Sequence, residues 1–294
     1  MKFSRMALFV ILVCAVSSAA MAQGLDVAKI DEALGRSGQK MGETYRVGFP
    51  RTDLRVTVRG VTVKPGLALG SWAAFMGTDE HAMVMGDLVL LEDELNPVME
   101  KLRAAGFDIT AVHNHLIDET PKVLYLHYMG QGTATGLASS LRAALAISAT
   151  PLEKPLAAAA EAPAPEWVKT VESAMGRDGA LKGGVLSYGV PRADAETMNG
   201  VVIPPAAGVA EAINFQAADG NNVATTGDFV LTAEEVNPVI SALEQHHIQV
   251  TALHSHMLSE QPRLFFMHFW GYGPAQAVAE GMRAGLEKVH IKAQ

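Results

Sequence analysis

Residues 86–145 superpose without a gap on 227–286 at an offset of 141, with 23 identities in 60 positions. The same offset carries Gly48-x-Pro50-Arg51-x-Asp53 onto Gly189-x-Pro191-Arg192-x-Asp194. A chain written twice must fold as two copies of one unit, and any chemistry kept in both copies stands out against the positions that drifted. Ala149 to Glu166 separates the copies and holds four prolines among many alanines, the composition of a semi-rigid linker. The organisation expected is a first repeat over 23–148, a linker over 149–166 and a second repeat over 167–294.

The first 22 residues have the three zones of a secretion signal. Lys2 and Arg5 supply positive charge, Met6 to Val16 is apolar, and Ala20-Met21-Ala22 is a small-x-small cleavage pattern. The apolar stretch is shorter than the roughly 20 residues that cross a bilayer. A periplasmic or secreted protein is therefore expected, with no transmembrane segment in the mature chain. Cys14 is the only cysteine and lies inside this segment, so disulfides, thiolate ligands and cysteine nucleophiles are excluded from the mature chain. Removing two of 23 basic residues leaves 21 against 31 acidic ones, a net charge of −10. That balance argues against nucleic acid and anionic lipid as partners.

With 49% apolar and 18% charged residues, the chain can bury substantial cores. Leu54 to Val58 and Val61 to Val63 read as a short hairpin about Arg59-Gly60, and Ala68–Met76 and Met83–Leu91 as further strands. A helix follows. Asn96 with Pro97 at the first helical position gives one start, while Thr232-x-x-Glu235 in the second copy is a capping box that starts it a turn earlier. Two apolar strands, Phe107–Leu116 and Lys122–Met129, look antiparallel across a tight connection, and a last helix runs from about Thr133 to Ile147. The fold class expected is α+β: two tandem repeats, each a mostly antiparallel sheet with helices packed on one face, associating as a pseudo-dimer.

Six of the ten histidines form three matched pairs within H-x-H-x-x-x-E-x-P-x-x-x-x-x-H, from His113 to His127 and from His254 to His268. Residues i and i+2 of a strand face one side about 6.6–6.8 Å apart, so both imidazoles can converge on one ion. If pairing sets Ala111 opposite His127, that third ring falls diagonal to His113 and within reach; a slip of one residue turns it away. The expectation is a three-histidine site in each repeat, His113, His115 and His127 in the first and His254, His256 and His268 in the second. Glu119 and Glu260 are candidate fourth ligands or general bases. Such donors suit a divalent transition metal, zinc first, with nickel, copper and iron(II) also compatible. Metal-assisted hydrolysis is the reaction class such a site would support. The alternatives are a metal-free pocket of a non-catalytic binding module for a saccharide or peptide, and a purely structural role.

The block Gly86-Asp87, Glu94-x-Asn96-Pro97, Thr110-Ala111-x-His113-x-His115 and His127, repeated from Gly227-Asp228 to His268, resembles the bacterial family named for the mycobacterial lipoproteins LppY and LpqO. The resemblance spans both repeats, implies an exported envelope protein and brings no reaction with it. A lipidation cysteine is lacking here, since Val13 precedes Cys14.

Arg51 and Asp53, with Arg192 and Asp194, could hold a polar ligand through bidentate arginine bonds or could form an ion pair that fixes a turn. No P-loop, G-x-S-x-G or longer dinucleotide fingerprint occurs.

Overall fold

The structure is a computed structural model that describes residues 24–153 and 163–293. The segment read as a secretion signal, with Cys14, lies outside the described residues, as does the centre of the linker.

The first repeat runs α1 (Val27–Leu34), β1 (Gln39–Met41), β2 (Thr44–Pro50), β3 (Thr57–Val58), β4 (Val61–Thr62), α2 (Pro65–Ala68), β5 (Gly70–Gly77), β6 (Ala82–Leu91), α3 (Glu92–Ala104), β7 (Asp108–His113), β8 (Glu119–Thr120), β9 (Val123–Gly132) and α4 (Ala134–Leu145). The second repeats it as α5 (Glu166–Met175), β10 (Ala180–Lys182), β11 (Val185–Pro191), β12 (Thr197–Met198), β13 (Val201–Val202), a 3-10 turn at Pro205–Ala207, β14 (Ala210–Ala217), β15 (Asn222–Leu231), α6 (Ala233–Gln245), β16 (Gln249–His254), β17 (Glu260–Gln261), β18 (Phe265–Pro274) and α7 (Ala275–Leu286). Each repeat builds a six-stranded antiparallel sheet, in the orders β1-β2-β5-β6-β9-β7 and β10-β11-β14-β15-β18-β16, beside a three-stranded one. The α+β expectation is thus met.

Alternation along the central strands sends side chains to two different interiors. In β6 and β9, Val84, Leu88, Leu90, Leu126 and Tyr128 join Leu102, Leu137 and Leu141 of the helices in one core. Val89 and Tyr125, on the opposite face, pack with Val185, Ala224 and Trp270 of the second repeat. Met85 lies in another shared cluster with Val230, Met257 and Phe266. Helices therefore cover one face of each sheet, and the other face is buried against the sister repeat. The strands are apolar on both sides because both sides are covered.

The helix after β6 starts at Glu92, and its counterpart after β15 at Ala233. The start at Asn96 is thereby corrected: Pro97 lies within the first turns. The reason is the third helical residue, Glu94 or Glu235, whose carboxylate accepts the backbone N–H of Leu91 or Thr232 at 2.8 Å and satisfies a donor the helix leaves unpaired. Strands β1 and β2 carry no strong sequence signal, yet they extend the sheet on the side of β5.

A six-histidine centre between the repeats

Ala111 lies opposite His127, and Ala252 opposite His268, the register that the third histidine requires. Each edge strand also carries a bulge, between Ile109 and Ala111 and between Val250 and Ala252. The extra residue switches the strand's facing, so Ile109 packs on the helical core while His113, four residues on, turns towards the other repeat.

The consequence is one site rather than two. All six imidazoles gather at the junction, where His113 stacks on His254 with ring centroids 3.8 Å apart, His115 on His268 at 3.6 Å, and His127 on His256 at 3.7 Å. Every pair takes one ring from each repeat. His113 and His254 are each other's counterparts, and the other two pairs exchange under the repeat symmetry, so a local twofold axis runs between His113 and His254. The expectation of a self-contained three-histidine site in each repeat meets a mixed outcome: His254, His256 and His268 do converge, joined by His113 of the other repeat, whereas His113, His115 and His127 form no group of their own. The cause is that both H-x-H strands present their histidines on the buried inter-repeat face.

Second histidines of each H-x-H stack against an aromatic ring of the neighbouring strand, His115 on Tyr125 at 3.7 Å and His256 on Phe266 at 3.6 Å. Across the junction, the Thr251 hydroxyl donates to the carbonyl of His115 at 2.5 Å and the Asn114 amide donates to the carbonyl of Thr251 at 3.1 Å. These contacts hold the rings before any ligand arrives.

Backbone carbonyls fix the tautomers. Nδ1 of His113 faces the carbonyl of Asn114 at 3.2 Å, Nδ1 of His254 that of Ser255 at 3.2 Å, and Nδ1 of His268 that of Gly227 at 3.1 Å. A carbonyl only accepts, so each Nδ1 carries the hydrogen and each Nε2 offers a lone pair. Nε2 of His254 and Nε2 of His268 are nevertheless 2.8 Å apart, a repulsive approach unless a cation lies between them. Burial and the neighbouring His268 pull His254 down to about 4, and burial holds His113, His115, His127 and His256 below the ordinary imidazole range. These rings are neutral at neutral pH. The Nε2 atoms of His113, His115, His127 and His256 are buried without hydrogen-bond partners, an expensive arrangement in the absence of a ligand.

Two aspartates complete the centre. Asp87 stands opposite His127 on β6, and Asp228 opposite His268 on β15. Asp87 Oδ2 lies 3.8 Å from Nε2 of His127 and 3.9 Å from Nε2 of His115, and Asp228 Oδ1 lies 2.9 Å from Nδ1 of His268. Burial, reinforced by the Asp228 charge, pushes the Asp87 carboxyl well up. Ligand atoms converge within 4.8 Å of one another in two groups, His113 with His254, His256 and His268, and His115 with Asp228 and His268. Both groups draw on both repeats. The aspartates escaped the sequence reading, although Gly-Asp recurs in both copies and puts a charge inside an otherwise apolar strand.

Neither group includes Glu119 or Glu260. Their short strands pair with β3 and β12 in the small sheets, which turns the backbone away from the histidine strands. The Glu260 carboxylate accepts from Arg263 Nη1 at 3.0 Å and from the Leu264 N–H at 3.1 Å. Arg51 is also spent within its own repeat: it pairs with Asp53 at 2.8 Å and Glu94 at 2.7 Å and donates to the Val89 carbonyl at 2.7 Å. Arg192 repeats this with Asp194 at 3.2 Å, Glu235 at 2.7 Å and the Val230 carbonyl at 2.7 Å. Both arginines are buried, and the ion-pair alternative describes them.

A family model described as Domain of Unknown Function (DUF1259) matches residues 28–147 and again 169–288. The chain belongs to this family. Its two copies of the domain are the two repeats whose junction holds the histidines. No curated protein sequence matches the chain. Among solved structures, similarity is found to the trimeric bacterial microcompartment shell protein PduB, at 13% identity and TM-score 0.22 over 86% of this chain and 89% of that one. EtuB from Clostridium kluyveri gives 8% identity and TM-score 0.19 over 85% and 88%. Scores of this size bear on neither fold nor assembly.

Proposed function

We propose that this DUF1259 protein holds a divalent transition metal in one composite centre, built from His113, His115, His127, His254, His256 and His268 with Asp87 and Asp228 beside them. The observation that carries this reading is the approach of the His254 and His268 Nε2 lone pairs to 2.8 Å while the Nδ1 atoms of both rings face carbonyls. Two nitrogens about 2.0–2.1 Å from a shared ion lie about 2.9 Å apart at a right angle and about 3.3 Å apart at the tetrahedral angle, so a small outward turn of either ring seats the ion. Imidazole donors favour zinc, copper, nickel or iron over magnesium or calcium, and zinc is the first choice to test. A metal held by imidazoles acts as a Lewis acid and lowers the pKa of bound water towards about 7, so metal-assisted hydrolysis is the reaction class proposed. Around the metal, Asp87 and Asp228 offset its charge, the carbonyls of Asn114, Gly227 and Ser255 hold the tautomers, and Tyr125 and Phe266 keep the second histidine of each motif in plane.

The site of action proposed is the periplasm or the exterior, from the N-terminal signal pattern, and kinship with the LppY/LpqO proteins is proposed with it. No described helix is long and apolar enough to cross a membrane. The test is elemental analysis of protein purified without an affinity tag. A stoichiometric transition metal is expected, and its complete loss when His254 and His268 are both replaced by alanine. A metal content unchanged by that double substitution would end the assignment.

A further inference from the structure

The centre is nearly symmetric, but its surroundings are not. A cavity of about 840 Å³ opens on the flank where His127 and His256 lie. It exists because the repeats differ: Trp72 faces Gly48 on the neighbouring strand, whereas the matching partner of Gly189 is the small Ala212. Arg46 likewise has Ser187 as its counterpart. Met41, Val202, Pro204 and Pro205 supply apolar wall.

Arg46 is the one cationic side chain among the lining residues. Its guanidinium lies over the Trp72 ring, 3.8 Å from the centroid, and its Nη1 donates to the Ala206 carbonyl at 2.6 Å. Carboxylates are near without serving it. Glu43, Asp87, Glu211 and Asp228 also line the cavity; Glu211, fully buried, accepts the Val230 N–H at 2.6 Å, and Asp87 and Asp228 face the imidazoles. Among the described residues, no acidic oxygen pairs with Arg46 within 4.0 Å. Desolvation accordingly pulls this arginine down to about 10. A guanidinium fixed on an aromatic platform and lacking a counterion is a preformed half of a bidentate carboxylate pair.

We propose that this cavity binds a small organic carboxylate, with its carboxylate on Arg46 and its apolar body along Trp72 and the proline wall. The site goes beyond the metal reading and does not depend on it, because the anchor is a side chain of this chain. It places the ligand next to His127 and His256, on one flank of the centre only.

The test is calorimetric titration of the full chain, as purified, with 4-phenylbutyrate and, separately, with 4-phenylbutanol, which keeps the apolar body and lacks the charge. Saturable binding of the acid is expected, about tenfold or more tighter than the alcohol, as a charged hydrogen-bonded pair implies. Arg46→Gln should abolish the preference. Equal binding of acid and alcohol, no saturable binding of the acid at millimolar concentration, or an undiminished preference in Arg46→Gln would each overturn the proposal. Acid and alcohol are compared on the unaltered chain, so the outcome stands even should the variant fold poorly. Metal content is measured separately by elemental analysis, so failure here is distinguishable from failure of the metal assignment.

Discussion

His113 and His254, separated by 141 positions in the chain, stack ring on ring with centroids 3.8 Å apart. They are the same residue of two copies meeting on the local twofold axis. The other four histidines pair crosswise around them, and His268 belongs to both groups of converging ligand atoms.

That arrangement makes metal retention all-or-none with respect to the repeats. Replacing His254 and His268, the second of which serves both groups, should remove essentially all bound metal as read by elemental analysis. A loss of half would mean two independent sites. Asp87→Asn, which removes a charge and keeps the shape, should weaken retention about 10–100-fold, as changes in the groups supporting a metal site do, in competition with a graded chelator.

Acid should destabilise the metal-free protein over a defined window. His254 titrates at about 4 in the folded chain, against 6.5 for an ordinary histidine. Between those values the unfolded chain binds the extra proton and the folded chain refuses it, so stability falls as pH falls from about 6.5 to 4 and is flat above. His113, His115, His127 and His256 shift in the same direction and steepen the loss. Thermal melting of chelator-treated protein across that range is the measurement, and a constant midpoint would contradict the burial described.

Arg51→Met should cost stability without touching the metal. It removes the partner of the Glu94 and Asp53 carboxylates, and breaking a buried pair from one side costs about 3–5 kcal/mol. Denaturant unfolding should show that loss while metal content and carboxylate binding stay as in the parent chain. Loss of ligand binding with stability intact would restore the ligand role expected of Arg51 from sequence.

Gly86→Ala tests why glycine precedes the aspartate in both copies. A methyl group on Gly86 would run into the Trp72 carbonyl and the Tyr128 hydroxyl, and one on Gly227 into the Ala212 carbonyl. Strand β6 would have to shift away from β5, at a cost of about 1–3 kcal/mol, and Asp87 would move with it. A lower melting temperature together with weaker metal retention is expected; an unaltered melting temperature would refute the close approach.

The duplication, the antiparallel pairing of the histidine strands and the identity of the six histidines were all legible in the sequence, and the register of Ala111 against His127 was legible only as the condition that the third ring needs. They are local properties, carried by period-two alternation and by spacing within one copy. The helix start was half legible: the Thr232-x-x-Glu235 box gave it in the second copy, while Asn96-Pro97 pointed a turn too far along the first. Which repeat each histidine would serve was not legible. Spacing within a copy says which face of a strand a ring occupies, but not what covers that face. The bulges at Ile109–Ala111 and Val250–Ala252 and the packing of sheet against sheet decided that, turning two expected sites into one and bringing in Asp87 and Asp228 from neighbouring strands. Arg46 is likewise unremarkable in sequence, and only the tertiary structure leaves its charge beside a cavity with no carboxylate of the described residues paired to it. Pairing along a strand is set by neighbours in the chain, whereas convergence at a buried junction depends on contacts between residues more than a hundred positions apart.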